Sequence, residues 1–293
     1  MPTLRDLRRK IKAIQNTKKI TKTMRMVAAA KLRKVQDRML NFRHYAMSME
    51  SVLLDLSRVG ERELHPLLAV RPRKTVEVLV LTSDRGLCGG FNTSILTTAS
   101  KHIEYLKKEG FEVSISVVGR KARDFFRRRN IPMRKTWVGL SGRITYANAQ
   151  EISGDLIENY INETLDEVVL IYNEFKSVVL QKVTMARLLP IGELETEGAP
   201  VEKGSIAVDF LYEPSPEVLF ERLLPKHIEI QVFRALLESS AAEEAARMSA
   251  MERASNNCDE LIAKITLQAN KVRQASITKE LMDIVGGAEA LKA

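Results

Sequence analysis

The sequence predicts an α/β protein: a long antiparallel, left-handed coiled coil of the N- and C-terminal helices, plus a small Rossmann-like α/β domain inserted between them. Three observations predict it. Two stretches without glycine or proline, Thr3–Val59 and Lys226–Val285, run for 57 and 60 residues. Helices in globular proteins average ~11–12 residues, so such stretches point to a coiled coil or a very long helix, reaching about 85–90 Å at ~1.5 Å per residue. Both stretches repeat their apolar residues at heptad spacing. Between them lie eight of the nine prolines (Pro66 to Pro225) and eleven of the fourteen glycines (Gly86 to Gly204). The chain therefore divides into a discontinuous shaft, 1–60 with 215–293, and a globular α/β domain, 70–212.

The N-terminal helix opens on Leu4, Leu7, Ile11 and Ile14, spaced 3, 4, 3. Lys18 stands where the next apolar residue is due. The phase is expected to slip there, passing through Thr17, Thr21 and Met24, with Ile20 as a nearby alternative. From Ala28 the seam runs through Leu32, Val35, Met39, Phe42, Ala46, Met49, Leu53 and Leu56 in strict 4, 3 alternation.

In the middle, Thr75–Thr82 reads as a buried strand and Ser83–Asn92 as a Gly-rich loop. Thr93–Glu109 reads as a helix stopped by Gly110, and Glu112–Val118 as an alternating strand. Lys121–Arg129 is a basic helix, and Ile144–Leu165 a longer one. Glu167–Tyr172 and Ser177–Leu189 read as strands turning near Glu174-Phe175-Lys176. A loop over Ile191–Ser205 precedes a last strand, Ala207–Tyr212. Alternating strands and helices imply a small, largely parallel sheet.

The C-terminal seam runs Ile228, Val232, Ala235, Ser239, Ala242, Ala246, Ser249. It then shifts phase into Met251, Ser255, Cys258, Ile262, Ile265, Ala269, Val272 and Ser276. Small seam residues let helix axes approach closely while burying little area, at ~25 cal/mol per Å². This helix reads as the slim partner of a bulkier N-terminal one.

Of 293 residues, 45 % are apolar and 28 % charged, an ordinary globular mix that excludes wholesale disorder. No apolar run approaches the ~20 residues of a membrane span, and the N-terminus lacks the apolar core of a signal peptide. Two cysteines, Cys88 and Cys258, build no disulfide framework. Cys258 reads as a small seam residue, and Cys88, in a loop, as a thiol able to react. The net charge is +9, yet residues 1–40 alone hold thirteen basic and two acidic residues. Such one-sidedness predicts an acidic partner: nucleic acid, anionic lipid or an acidic protein surface.

Chemistry-bearing motifs are sparse. Gly86-Leu87-Cys88-Gly89-Gly90, between a strand and a helix, has the layout of a phosphate cradle, but neither GxxxxGK[ST] nor GxGxxG occurs. It reads rather as a tight turn or docking loop, with Asp84 and Arg85 pairing locally. His44, His65, His102 and His227 lack metal-ligand or nucleophile–base spacing. No catalytic residue, cofactor or metal is assigned.

Separate segments along the chain resemble the γ subunit of F-type (F1Fo) ATP synthase, bacterial type. Near the start stand Ile11-Lys12-Ala13-Ile14-Gln15-Asn16-Thr17-Lys18-Lys19-Ile20-Thr21-Lys22-Thr23-Met24 and Met26-Val27-Ala28-Ala29-Ala30-Lys31-Leu32. In the middle stand Ser83-Asp84-Arg85-Gly86-Leu87-Cys88-Gly89-Gly90-Phe91-Asn92 and Phe210-Leu211-Tyr212-Glu213-Pro214. Near the end stand Ala246-Arg247-Met248-Ser249-Ala250-Met251 and Asn270 through Leu281, including Arg273-Gln274-Ala275-Ser276-Ile277-Thr278.

The resemblance implies a central rotor shaft inside a hexamer of α and β subunits. The globular domain would meet the ε subunit and rest on the c-ring, one copy per complex. The chain would carry torque between ring and hexamer, coupling proton transport to ATP synthesis or hydrolysis, with no active site of its own. By motif position Arg273, Gln274 and Thr278 match residues that touch a catch loop of β. Arg247 and Met24 match shaft positions passing β, and Tyr212 and Glu213 match residues near the c-ring and ε. Where the family often has a second Tyr, this chain has Phe210. The tip, Met282–Ala293, would sit in the collar of the hexamer. The family's photosynthetic members carry an inserted Cys pair that is absent here, so thiol regulation is not expected. With no transit peptide before Met1, the expected place is the cytoplasmic face of a bacterial inner membrane, bound peripherally through the complex. Two rival readings are a nucleic-acid-binding protein, which would show steep salt dependence, and a Rossmann-like enzyme with helical arms. Neither has a motif to support it, and no nucleic-acid partner is expected.

Overall fold

A computed structural model describes residues 3–59, 65–69, 71–191 and 216–290. The elements are α1 (Leu4–Val59), β1 (Thr75–Leu81), α2 (Phe91–Lys108), β2 (Glu112–Val118), α3 (Arg120–Arg128), β3 (Lys135–Trp137), α4 (Tyr146–Ile161), β4 (Glu167–Phe175), β5 (Gln181–Leu189) and α5 (Pro216–Ala290). By contacts the chain forms two compact units, Met1–Ala29 with Arg247–Ala293, and Ala30–Ala246.

In the first unit, Leu7, Ile265 and Ala269 are buried together, with Leu4, Ile11, Ile14 and Val272 packed against them. Ion pairs Lys18–Asp259 and Arg25–Glu252 link the helices, so numbering rises along one as it falls along the other. The pair is antiparallel, as the sequence predicts. The expected phase slip does not occur. Lys18 is half-buried on the seam and Thr21 is buried, while Thr17 and Ile20 are exposed, Ile20 at 60 %. A lysine can hold a seam position because its four-carbon stem packs while its ammonium reaches water, and here the ammonium meets Asp259. On α5, Met251 through Val272 keep the predicted seam, but Ser276 is exposed.

The second unit holds a five-stranded sheet in the order β3-β2-β1-β4-β5. Neighbours pair in parallel except β4 with β5. That order, with β1 flanked by β2 on one side and β4 on the other, is the doubly wound arrangement. Side chains alternate across β1. Val76, Val78 and Val80 join a core with Ile95, Ala99 and Ile103 of α2 and Ala122 and Phe126 of α3. Leu79 and Leu81 join the opposite core with Ile152, Leu156 and Tyr160 of α4 and Ile228, Val232 and Leu236 of α5.

The seam of α1 is seen as predicted from Ala28 to Leu53, with Ala28, Leu32 and Leu53 buried and Val35, Met39, Phe42, Ala46 and Met49 half-buried; the side chain of Leu56 lies outside those described. Part of α5 departs from a one-sided seam. Every residue from Ala235 to Ala245 is buried, because this segment packs against α1 and both sheet cores. Helix α5 also starts before the breaker-free stretch, carrying Pro225 inside it, and passes Gly286-Gly287 at its other end.

Strand β3, three residues long, has no counterpart in the sequence reading. The hairpin turns later than expected, between Phe175 and Gln181, where the Ser177 N–H donates to the Leu180 carbonyl at 3.0 Å. The expected strand Ala207–Tyr212, and with it Phe210, lies outside the described residues.

Candidate partner-contact surface

Three expected contact residues lie on one exposed stretch of α5. The two ion pairs of the first unit match residues whose numbers sum to 277. By that register Leu4, the first residue of α1, stands level with Arg273. Helix α5 therefore continues past the start of its partner, and the burial pattern agrees: Val272 is half-buried and every residue from Arg273 to Val285 is exposed. Gln274 and Thr278, four apart, are neighbours on the helix surface. Arg273 is adjacent, and no carboxylate pairs with it within 4 Å among the described residues.

The same stretch exposes Ile277, Leu281, Met282, Ile284 and Val285, with Met282 and Ile284 each 68 % exposed. A lone helix that leaves large apolar side chains in water is a surface built for a partner. An aggregating tail is the alternative, and polar Arg273, Gln274 and Thr278 interleaved with the apolar residues favour a specific contact.

The other expected residues differ. Met24 is half-buried on α1, level with Arg253 by the same register. Arg247 is 8 % exposed and engaged within the chain, so it is packed rather than presented. Tyr212 and Glu213 lie outside the described residues.

The basic character of α1 is on its outer faces. Arg5, Arg8, Arg9, Lys10, Lys12, Lys19, Lys22, Arg33 and Lys34 are exposed. They alternate with the seam, as a helix buried on one side requires. Met26 and Val27, exposed beside them, add apolar contact area.

The Gly-rich loop after β1 is braced both by its own side chains and by its neighbours. The Ser83 N–H donates to Asn92 Oδ1 at 3.0 Å, and Asn92 Nδ2 reaches Cys88 Sγ at 3.2 Å. Cys88 is 2 % exposed, which corrects the expectation of a reactive loop thiol: its sulfur is packed and shielded. Asp84 does not pair with Arg85. It accepts N–H donors from Arg120 at 3.1 Å and from Gly139 and Ser141 at 3.0 Å each, tying the loop to α3 and to the segment after β3. Burial works to raise the Asp84 carboxyl, but the N–H donors outweigh it and hold it below the ordinary carboxylate range.

The histidines are packing residues where they are buried. Burial alone pushes His227 down to about 4. Sequence reasoning missed the ionic network of Glu77, Arg134, Asp155 and Lys135. The fully buried Glu77 accepts from Arg134 Nε at 3.2 Å, and Arg134 Nη2 donates to Asp155 at 2.6 Å. A lone Glu inside the apolar run TVEVLVL was the one available signal.

Among the described residues no group of three or more His, Cys, Asp or Glu side chains is arranged to hold a metal ion, and no helix is long and apolar enough to cross a membrane.

A family model described as ATP synthase matches residues 3–291. The ATP synthase gamma chain of Anaeromyxobacter sp. (strain Fw109-5) is 47 % identical over 295 residues, all of each chain. That of Syntrophus aciditrophicus is 45 % identical over 99 % of each. Among solved structures, a central stalk and c-ring structure of Tetrahymena thermophila mitochondrial ATP synthase matches with a TM-score of 0.58 at 28 % identity, over 80 % of this chain and 99 % of that one. A Euglena gracilis mitochondrial ATP synthase structure of OSCP, F1 and c-ring matches with a TM-score of 0.64 over 98 % of this chain and 94 % of that one. At 22 % identity it speaks for the fold alone.

Proposed function

This chain belongs to the ATP synthase γ-chain family, and on that premise we propose that it is the central-stalk rotor, the part that carries torque between a proton-driven c-ring and the catalytic α/β hexamer. The observation that carries this reading is the stretch of α5 past Arg273. There a helix that no described residue of the chain covers exposes five large apolar residues among polar ones.

The division of labour follows. Residues 1–60 and 215–293 form the shaft, and residues 70–212 form the globular domain that meets the ε subunit and the c-ring. Arg273, Gln274 and Thr278 touch a loop of β, Met24 and the buried Arg247 lie on the shaft where it passes β, and Tyr212 with Glu213 lies toward ε and the ring. The chain holds no cofactor and breaks no bond itself. One copy serves each complex, on the cytoplasmic face of a bacterial inner membrane, held there peripherally through its partners.

The chemistry suits that role. Exposed lysines and arginines on α1 make rim contacts with acidic loops worth ~0–1 kcal/mol each. Contacts that weak let a surface slide past its sleeve rather than lock. A two-helix pair also lacks the threefold symmetry of the hexamer, as a cam must.

The test is ATP hydrolysis by the cognate α and β subunits with and without this chain. Sustained turnover and co-elution at one chain per hexamer are expected only when it is present. Deleting Arg273–Ala293 should weaken the coupling of hydrolysis to proton pumping more than it weakens assembly. A chain that neither joins the hexamer nor changes turnover would overturn the proposal.

A further inference from the structure

The apolar face of α5 changes sides at its tip. Along the seam toward α1 it runs through Cys258, Ile262, Ile265, Ala269 and Val272, each buried or half-buried. Continued at the same 4, 3 spacing, that seam passes through Ser276, Lys279 and Asp283, all polar and exposed. The apolar residues of the tip fall elsewhere. Ile277, Leu281 and Ile284 are again spaced 4 and 3, with Val285 beside them, and all are exposed. At about 100° per residue they form a stripe roughly 140° around the helix from the continued seam. The stripe is therefore not a piece of the α1 seat left bare. It is a second seam that faces another way.

The flanks of the stripe decide what fits it. Arg273 and Glu280 border it on one side, Thr278 and Val285 on the other. Glu280 accepts from the Ser276 hydroxyl at 3.2 Å; neither it nor Arg273 makes an ion pair within 4 Å among the described residues. A second copy laid antiparallel, with Leu281 against Ile277 of that copy, closes the stripe on itself. Ile284 then meets Gln274 of the second copy, and each contact occurs twice by symmetry. In that register Arg273 stands about five residues, ~7.5 Å along the axis, from Glu280 of the second copy, within reach of its side chain. Opposed helix dipoles favour the same direction. A parallel pair would set the charged flank against the uncharged one and leave both charges unmatched.

We propose that the tip of α5 is a self-recognition surface, through which two free copies of this chain pair antiparallel on Ile277, Leu281 and Ile284, with Arg273 of each copy opposite Glu280 of the other. About three turns overlap, which buries less than the ~1,200 Å² where stable interfaces begin. The pair is accordingly weak and forms at roughly micromolar concentrations and above. Pairing covers the face that the rotor reading gives to β, so one copy cannot hold both contacts at once. The pairing itself does not rest on that reading.

The test is sedimentation of the purified full chain, without other subunits, from ~1 to ~100 μM. The average mass should rise from one chain to two and stop there. Leu281→Lys should weaken pairing ~10-fold or more. Val179→Lys, at an 87 % exposed position in the turn between β4 and β5, should leave it within ~2-fold. Arg273→Glu and Glu280→Arg should each weaken pairing ~3-fold or more, because each gathers four like charges on one flank. Both substitutions in one chain restore the opposite charges and should bring affinity back to within ~2-fold of the unaltered chain. Circular dichroism checks that every variant folds. A mass that stays at one chain throughout would overturn the proposal, as would one that climbs past two. Equal weakening by Leu281→Lys and Val179→Lys would show unspecific stickiness and overturn it too. So would a double charge exchange that fails to restore pairing, since the antiparallel register requires that rescue.

Discussion

Gly119 and His227 show how single residues constrain this chain. Gly119 ends β2 with φ +97°, and its N–H donates to the Trp137 carbonyl at 2.7 Å. An added β-carbon there would stand 2.2 Å from the Thr82 carbonyl oxygen, backbone that cannot swing aside. Gly119→Ala should therefore lower the unfolding free energy by ~2–4 kcal/mol. Gly139→Ala, at φ +84° but with open space around it, should lower it by only ~1 kcal/mol. Urea unfolding of the two variants separates clash from backbone strain.

His227 makes a pH prediction. Its folded-state pKa is pushed by burial to about 4, whereas the unfolded chain takes up the proton near ~6.5. Between those values the unfolded state binds more protons. The contribution of His227 is thus whole above ~6.5 and falls as pH drops toward 4, by up to ~1.4 kcal/mol per unit. Stability measured across that window should fall less steeply in His227→Gln than in the unaltered chain; parallel curves would contradict this. Single residues were also where the sequence misled. Lys18 looks polar as a letter, but on the seam its stem packs, and Ile20 takes the exposed side.

At the scale of elements, legibility followed side-chain size. The seam of α1 could be read because Leu, Met and Phe recur every three and four residues. The all-round burial of α5 from Ala235 to Ala245 could not, because that segment is rich in Ala, Ser and Glu, residues that look like an exposed face. Their smallness is what lets α1 and the sheet layers close on the helix from several sides. Ala242 is fully buried, so Ala242→Leu should overpack the junction and lower stability by ~1–3 kcal/mol; a thermal unfolding midpoint unchanged from the unaltered chain would contradict that packing. Strand β3 escaped notice because three residues carry no period. The hairpin turn came later than read because β4 continues through Glu174 and Phe175 while pairing with β5.

At the scale of the whole molecule, the sequence alone carried an α/β domain flanked by long terminal helices. The family came from motifs spread over the chain. The contact residues came only by resemblance, since nothing in the letters Arg273, Gln274 and Thr278 sets them apart from any solvated helix face. The structure adds a reason: the register of the first unit leaves α1 behind at Arg273, and α5 continues with its apolar residues uncovered. A torque shaft needs an end that its own chain does not bury.

The most direct test of that account fixes hexamers containing this chain to glass through β and attaches a bead to the chain's α/β domain. On adding ATP the bead is predicted to turn in one direction, with a speed that follows the rate of hydrolysis. Hydrolysis continuing at its full rate beneath a motionless bead would contradict the account.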